Sequence, residues 1–438
     1  MLGAVGLKIL HISTRLILGG SQENTVLSCE GQARLGHEVH LAYGPIFGPE
    51  GSMRPRVEAF NERAVREGVK PITLYELPHM VRELNPYKDH FCFHRDLKRL
   101  MRQVCPDVVH THSSKAGVLG RWAAWVARPR PAIVHTIHGP PFMPVEGGAI
   151  TRAKIGLKNR LYTHAERFAA RRCHTIVSVA DAMTEQFLAR GVGTPEQYVT
   201  VRSGMETEAF LNPRPGETRG EVRAQLGLGA CDFVVGTVAR LAQHKGHDDL
   251  LDALACDMRR RPDWKMLWVG DGWWRERLMR RVQEMGLSGR VICTGLVPPE
   301  RVPGMMRAMD VLAHPSYREG LPRTVPQALL CGVCPVAYDV DGTREACVDG
   351  RTGRLVPPGD TRALGEAIRQ LWERPDERAR LAQQGRDECA ELFGAQTMVD
   401  ALERVYQEAL ARARGVRAER DRCERPASGP GQSGDQRR

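Results

Sequence analysis

Residues 311–340 read VLAHPSYREGLPRTVPQALLCGVCPVAYDV, and the fold can be predicted from this stretch. An apolar run, VLAH, leads into a loop that contains Glu319, and the segment TVPQALL is typical of a short helix. A second apolar run, CPVAYDV, follows. Apolar strands that alternate with helices are typical of parallel sheets covered by helices on both faces. The stretch therefore predicts a βαβ unit of a doubly wound α/β sheet.

The same alternation runs through the rest of the chain. In the first half the strand-like segments are LKILHIS, HEVHLAY, DVVHTHS, AIVHTIHG, HTIVSVA and YVTVRSG, and in the second half they are FVVGTVARL, KMLWVGDG, RVICTGL, DVLAHPS, CPVAYDV and GRLVPPGD. Two such sets predict two doubly wound, Rossmann-like domains. We place their boundary in ETEAFLNPRPGETRG, which is rich in proline, glycine and charge. The predicted ranges are 1–207 and 208–394, a closing helix at 395–413, and a basic disordered tail at 414–438.

Length and composition agree with two globular domains. A chain of 438 residues is too long for one ordinary core, and it is 42% hydrophobic and 26% charged. Its net charge of +11 favours anionic partners, such as nucleic acid, lipid headgroups or phosphorylated substrates. We find no nucleic-acid-binding motif, and aromatic residues make up only 6%, so we expect no nucleic-acid partner.

The sequence also indicates a compartment. The first residues lack the basic region of a signal peptide, and no apolar run is long enough to span a bilayer. We therefore expect a cytoplasmic protein whose twelve cysteines are reduced.

Charged residues follow the strands of the second half, where ligands of open α/β sheets bind. Arg240 and Lys245 lie between a strand and a helix that begins near Gly246. Two cations beside a helix N-terminus can bind a diphosphate. A solvated basic loop is the alternative reading.

Two glycine-containing loops follow the next two strands. Gly270 belongs to VGDG, which is not a dinucleotide fingerprint because Arg275 occupies the place of the third glycine. Leu296 follows Gly295 in a loop whose backbone groups could hold a base. A plain turn and a plain connector remain alternatives for these two loops.

The EGLP loop places a carboxylate at the end of a strand. Gly320 allows close approach of the backbone to a ligand, and Pro322 suits a first helical turn. The Glu319 carboxylate would be repelled by a phosphate but would accept hydrogen bonds from sugar hydroxyls. The loop therefore indicates a site for a phosphorylated sugar.

In combination these motifs resemble a known family. GGSQ, HTIHG, SVADAM, GTVARLAQHKG, VGDG, EGLPRTVPQAL and DGTREACVDGRTGRLVPPGD resemble the retaining glycosyltransferases of family 4, over residues 7–412. The resemblance implies the GT-B fold, in which two Rossmann-like domains face each other across a cleft and a C-terminal helix returns to the first. It implies an acceptor-side domain followed by a nucleotide-sugar donor domain.

The resemblance also implies roles for individual residues. Arg240 and Lys245 would hold the donor diphosphate, and Glu319 would be the first acid of the E-x7-E motif that contacts the transferred sugar. The remaining implied contacts are backbone amides at Gly320, Leu321 and Pro322, a glycine loop at Gly19 and Gly20, and a cleft histidine at His138.

Gln327 departs from the family pattern, because it occupies the position of the second glutamate, which grips the ribose. An amide has one acceptor oxygen and no charge, so donor affinity or donor identity should differ. A catalytically impaired sugar-nucleotide-binding homologue is therefore one alternative function. A sugar-nucleotide epimerase of the same fold is another.

The expected reaction moves a hexosyl group from a nucleotide-diphosphate sugar to a saccharide or lipid-linked saccharide, in cell-surface glycan biosynthesis. No nucleophile stands beside a base, so the sequence favours front-face transfer with retention. We expect no metal or other cofactor, because Arg240, Lys245 and the helix N-terminus can supply the positive field. Asp339 to Asp341, which read DVD, are interpreted as structural or as part of the sugar-side loop.

Four histidines follow two strands of the first half, namely His110, His112, His135 and His138. Zinc is a minor alternative for them, because residues two apart on a strand share a face. We favour a cleft role for His138 and structural roles for the other three.

The segment 152–172 combines seven basic residues with apolar residues at helical spacing. An ordinary solvated helix is one reading. Contact with anionic lipid at the inner face of a membrane is the other.

Overall fold

The computed structural model describes residues 6–46, 51–140, 142 and 149–423. Its strands are β1 Lys8–Arg15, β2 Glu38–Gly44, β3 Thr73–Glu76, β4 Val108–His112, β5 Ala132–Ile137, β6 Thr175–Ser178, β7 Tyr198–Thr200, β8 Phe233–Val238, β9 Trp264–Val269, β10 Val291–Cys293, β11 Val311–His314, β12 Cys334–Tyr338 and β13 Arg354–Val356.

Helices connect and cover these strands. They are α1 Gly20–Arg34, α2 Arg54–Arg66, α3 Pro86–Phe91, α4 Lys98–Val104, α5 Ser114–Val126, α6 Ala149–Ala170, α7 Asp181–Leu188, α8 Glu208–Leu211, α9 Arg219–Gln225, α10 His247–Arg260, α11 Arg275–Glu284, α12 Val302–Arg307, α13 Thr324–Leu330, α14 Thr343–Ala346, α15 Thr361–Glu373, α16 Pro375–Leu392 and α17 Ala395–Cys423. A π-helical turn at Cys92–Leu97 joins α3 to α4.

The strands form two parallel sheets, so the predicted α/β architecture is confirmed. The first sheet has the order β3-β2-β1-β4-β5-β6-β7 and the second has the order β10-β9-β8-β11-β12-β13. In both sheets the strand order reverses beside the first strand, at β1/β4 and at β8/β11. Ligands of doubly wound sheets bind at such reversals, beyond the carboxyl ends of the strands. The loops that follow β8 and β11 contain Arg240, Lys245 and Glu319.

Strand β3, which pairs with β2 at the edge of the first sheet, was not predicted from the sequence. Its four residues are exposed or half-buried, so the short segment lacks the apolar run that marks the central strands. An edge strand packs against only one neighbour, and its pattern is correspondingly weak.

The chain crosses between the two sheets at two adjacent places. The amide of Met205 donates to the carbonyl of Phe393 (2.8 Å), and the amide of Ala395 donates to the carbonyl of Met205 (3.0 Å). Thr200 ends the first sheet and Phe233 begins the second, on either side of the predicted boundary at 207.

Helix α17 returns to the first sheet, as expected. Its buried residues Leu402, Val405 and Tyr406 pack in one cluster with Ile9 and Val134. The helix continues to Cys423, beyond the predicted end at 413, because the added residues are mostly alanine, arginine and glutamate, which favour helix. The rest of the predicted tail, 424–438, lies outside the described residues.

Candidate active site

A cavity of about 520 Å³ lies between the carboxyl ends of the two sheets. Eight of the twelve predicted site residues line it, namely Gly20, His138, Arg240, Lys245, Glu319, Gly320, Leu321 and Pro322, and His135 lines it too. The loops that follow β1, β5, β8 and β11 supply these eight residues. Residues that are far apart in the chain therefore meet in one space.

The Glu319 carboxylate forms an ion pair inside this cavity. The distance from Oε1 of Glu319 is 2.5 Å to Nζ of Lys245 and 3.1 Å to Nε2 of His314. Burial acts to raise the pKa of Glu319, but the charge of Lys245 and the hydrogen bond from His314 outweigh burial. The pKa therefore lies well below its usual range, and the carboxylate is ionised at neutral pH.

Asp341 holds the Glu319 loop in place. Its carboxylate accepts a hydrogen bond from the backbone amide of Glu319 (2.8 Å) and another from Nε2 of Gln186 (2.5 Å). The amide of Gly342 donates to the carbonyl of Gly320 (3.0 Å). The third residue of the DVD sequence therefore positions the candidate sugar-binding loop.

Gly320 lies where the two halves of the molecule touch. A Cβ atom at this position would lie 2.2 Å from the carbonyl oxygen of His138 and 3.1 Å from Cα of Gly139. Real Cβ atoms do not approach a carbonyl oxygen this closely, so only glycine fits without a backbone shift.

His138 is a neutral group in the cavity wall. Burial lowers its pKa to about 3, and the nearby positive charge of Arg323 acts in the same direction. Its Nε2 lies 3.1 Å from Nδ1 of His112. A histidine with this pKa does not act as a general acid at neutral pH, because it carries no second proton.

Arg323 connects the two halves beside the cavity, and the sequence analysis did not single it out. Its guanidinium lies 2.9 Å from Oε1 of Glu23 and donates to the carbonyl of Gly204 (3.0 Å). A Cβ atom at Gly20 would lie 2.7 Å from its Cδ. Arg323 stands within the EGLPRTVPQAL motif, but its partners are distant in sequence. His314, the last residue of β11, was not predicted as a partner of Glu319 either.

The other four predicted residues do not line the cavity. Gln327 is half-buried in α13, and Gly19 is the exposed residue that precedes α1. Leu296 is 74% exposed. Their roles stay predictions.

The fourth of these residues, Gly270, joins two loops of the second sheet. It has a φ of 138°, its amide donates to the carbonyl of Gly295 (3.1 Å), and a Cβ atom there would lie 2.2 Å from the carbonyl oxygen of Ala239. A turn that requires glycine accounts for its presence.

The sequence suggested a group of His110, His112, His135 and His138, but in the structure His11 lies with His110 and His112. The side-chain nitrogens of His11, His110 and His112 lie within 4.8 Å of one another, and all three residues are buried. Each of their ring nitrogens lies within hydrogen-bond distance of another side chain. His135 instead pairs with the hydroxyl of Thr111 (2.9 Å).

Two Rossmann-like sheets with a shared cavity at their carboxyl ends are the GT-B architecture. Residues 19–204 match the Glycosyl transferase 4-like domain, and residues 218–388 match the Glycosyl transferases group 1 domain. The chain belongs to the family 4 glycosyltransferases.

Curated relatives agree with this family. The chain is 31% identical over 327 residues to D-inositol 3-phosphate glycosyltransferase of Saccharomonospora viridis, covering 72% of each chain. It is 30% identical over 328 residues to 2-deoxystreptamine N-acetyl-D-glucosaminyltransferase of Streptomyces fradiae, covering 72% of this chain and 74% of that one.

Solved structures share the fold. Anabaena Alr3699/HepE in complex with UDP-glucose superimposes with a TM-score of 0.70 at 22% identity, covering 92% of this chain and 99% of that chain. Sucrose-phosphate synthase of Thermosynechococcus elongatus gives a TM-score of 0.71 at 20% identity with the same coverage.

In the described part of this chain, no helix is both long and apolar enough to cross a membrane.

Proposed function

We propose that this glycosyltransferase moves a hexosyl group from a nucleotide-diphosphate sugar to a saccharide or lipid-linked saccharide, with retention of configuration, in cell-surface glycan biosynthesis. The observation that carries the proposal is the pairing of Lys245 with Glu319 in the cavity between the sheets. A cation and a carboxylate side by side match a donor that has an anionic diphosphate next to a sugar with several hydroxyls. The complex of Anabaena Alr3699/HepE with UDP-glucose supports this class of donor.

The cations of the second half would neutralise the leaving group. Arg240 and Lys245 line the cavity, and Lys245 immediately precedes the turn into α10. A diphosphate bound there would share the ammonium group of Lys245 with Glu319. We propose that these cations stabilise the departing phosphate without a metal ion.

Retention without a covalent intermediate is supported by the ion pairs that the carboxylates of the cavity form. Among the described residues, the carboxylates that line the cavity are Glu319 and Glu166. Glu319 is paired with Lys245, and Glu166 is paired with Arg121 at 2.6 Å. An ion-paired carboxylate is a weak nucleophile and a weak base. In front-face transfer the bond from the anomeric carbon to phosphate breaks and the bond to the acceptor oxygen forms on the same face. The acceptor proton passes to the phosphate oxygen.

Nucleotide binding tests the donor part of the proposal. We expect one of the UDP-, GDP- or ADP-sugars to raise the melting temperature, since a ligand at 100 times its Kd stabilises by about 2.7 kcal/mol. Replacing Arg240 and Lys245 together by alanine should abolish the shift. Stabilisation that survives this double replacement would place the nucleotide elsewhere, and an inverted anomeric product by NMR would exclude retention.

The two alternatives make different predictions. An impaired homologue would bind donor without turnover, and Gln327→Glu should then tighten binding by restoring a charged acceptor for the ribose. An epimerase would isomerise free donor in the absence of any acceptor. Product analysis with and without acceptor separates these outcomes from transfer.

We further propose that α6 brings the enzyme to the inner face of a membrane. Its exposed residues include Arg152, Lys154, Lys158, Arg160 and Arg167. Leu157 and Leu161 are 60% and 57% exposed on the same helix. Exposed leucines among basic residues suit a surface of anionic lipid.

A further inference from the structure

A series of hydrogen-bonded side chains leads from the cavity to the C-terminal helix. Nε2 of His138 lies 3.1 Å from Nδ1 of His112, and Nε2 of His112 lies 2.9 Å from Nδ1 of His11. Nε2 of His11 lies 2.7 Å from Oε1 of Gln32, whose Nε2 donates to the hydroxyl of Tyr406 (2.8 Å). We call these five residues the histidine chain.

A second branch of hydrogen bonds leads from Tyr406 to His110 and Thr136. The Tyr406 hydroxyl lies 2.7 Å from Nδ1 of His110, and Nε2 of His110 lies 2.7 Å from Oγ1 of Thr136. Apart from His138, which is half-buried and lines the cavity, the side chains involved are fully buried or nearly so. The hydrogen bonds are therefore not exchanged with solvent, and each donor and acceptor has a fixed partner.

Burial keeps every imidazole of the histidine chain neutral. It lowers the pKa of His11 to about 4 and that of His138 to about 3, and it lowers the pKa of His112 well below the usual range. A neutral imidazole has one N–H donor and one lone pair. Each ring that donates at one nitrogen must therefore accept at the other, and the direction of donation passes along the whole chain.

The amide of Gln32 sets this direction. Its oxygen faces His11 and can only accept, so His11 carries its proton on Nε2 and accepts at Nδ1. His112 then donates from Nε2 and accepts at Nδ1, and His138 donates from Nε2. The reversed amide would reverse all of these protons, because an NH₂ group facing His11 can only donate.

We propose that Gln32 is a positioning residue that fixes the tautomer of His138, so that Nδ1 presents a lone pair to the cavity. In the described part of the chain, no residue hydrogen-bonds to Nδ1 of His138. This nitrogen therefore accepts a hydrogen bond from a hydroxyl group of the acceptor. In the reversed tautomer the same atom would donate, and it would suit a phosphate oxygen instead.

The expected effect of Gln32 on kcat rests on the proposed function, whereas the tautomer of His138 can be measured without it. Loss of the partner that orients a metal-bound histidine lowers activity by about tenfold to a hundredfold, and we expect an effect of similar size for His138. We expect Gln32→Leu to lower kcat by this factor while the donor Kd changes little, because Gln32 does not line the cavity. An equal rise in the donor Kd would indicate a general distortion and would contradict a positioning role.

The tautomer is measured by NMR on protein labelled with ¹⁵N in histidine, with His138→Asn to assign the signal. In the unmodified protein we expect Nε2 of His138 to be protonated and Nδ1 to be unprotonated. In Gln32→Leu the direction is no longer set, so both His138 nitrogens should shift towards averaged values. The opposite tautomer in the unmodified protein would overturn the proposal, even if the variant does not fold.

Leu402→Ala is the matched control for these measurements. Leu402 is buried in the same helix as Tyr406 and has no polar side-chain atom, so its loss destabilises the helix contact and leaves the histidine chain intact. Its His138 signals should match those of the unmodified protein. A shift as large as that of Gln32→Leu would assign the effect to lost stability and overturn the proposal. Absence of transfer with every donor would refute the proposed function and leave the NMR result standing.

Discussion

The ion pair between Lys245 and Glu319 combines two roles that the sequence suggested separately. Both side chains are largely buried, with 18% and 14% of their surface exposed. A buried charge is tolerated only with a partner, because the desolvation of one ion costs several kcal/mol. Lys245 therefore stabilises the ionised form of Glu319.

Removing one partner of this pair should be more damaging than removing both. Lys245→Met leaves the Glu319 carboxylate buried without its lysine, and we expect the free energy of unfolding at pH 7 to fall by about 3 kcal/mol. Adding Glu319→Gln to that variant should recover most of the loss. Urea denaturation of the four proteins measures this, and strictly additive effects would contradict direct coupling.

Acid should weaken the protein partly through the same carboxylate. The folded-state pKa of Glu319 is lowered, so its stabilisation is present above the unfolded pKa of about 4.3 and is lost as the pH falls through the folded pKa. Between pH 6 and roughly pH 3 the melting temperature of Glu319→Gln should fall less than that of the unmodified protein. Parallel curves would show that Glu319 is not held in its ionised form.

For individual site residues, the sequence predicted which residues form the site but not which side chains they contact. Arg240, Lys245 and Glu319 could be found because each follows an apolar strand, where ligands bind in open α/β sheets. His11 and Gln32 could not be found, since they stand in a strand and a helix with no motif. Their partner Tyr406 is 374 residues from Gln32. Hydrogen bonds over such separations depend on the folded topology.

At the scale of elements, the EGLP loop and the loop after β5 are in backbone contact. Gly320→Ala would place a Cβ atom against the carbonyl of His138, so we expect a loss of about 1–3 kcal/mol of stability and a large loss of transfer activity. Melting curves and donor turnover measure both effects. Unchanged activity would mean that the two loops separate in the working enzyme.

Gly220→Ala is the control for Gly320→Ala. Gly220 lies in α9, and an added Cβ atom there meets no atom within 4 Å. Alanine favours helix over glycine by up to about 1 kcal/mol, so this variant should be as stable as the unmodified protein or slightly more so.

Helix α17 should contribute to the stability of the first sheet. Leu402→Ala removes a buried side chain that packs with Ile9 and Val134, and we expect a loss of about 2–5 kcal/mol in urea denaturation. Glu408 is exposed on the same helix, and Glu408→Ala should change stability by less than about 0.5 kcal/mol. Equal effects would show that the helix is not docked on the sheet.

The central strands were predictable because each is a continuous apolar run. The edge strand β3 was not, since its pairing with β2 depends on tertiary contact more than on its own four residues. The end of α17 was also misjudged. Helix formers continue past the last apolar contact, and the sequence alone does not show where such a helix ends.

At the scale of the whole molecule, the charge of +11 is consistent with membrane attachment through α6. Each basic residue near an anionic surface contributes about 1 kcal/mol, and salt weakens the contribution. We expect flotation with vesicles that contain phosphatidylglycerol and not with neutral vesicles. Replacing Arg152, Lys154 and Arg160 by glutamine should prevent it.

A control must separate this helix from net charge. Arg260, Arg280 and Arg362 are exposed in the second half of the molecule, and their replacement by glutamine removes the same charge. Flotation should persist in that variant. Equal loss in both variants would assign binding to net charge and remove the role of α6.

The two adjacent crossings at Met205 and Ala395 have a consequence for engineering. Because α17 packs on the sheet built by the first 200 or so residues, the second half is an insertion within the first, with entry and exit points joined by hydrogen bonds. A chimera that exchanges donor specificity between relatives should therefore be spliced at both points at once. A single junction would pair the helix of one parent with the sheet of another, and their side chains would not be matched in shape.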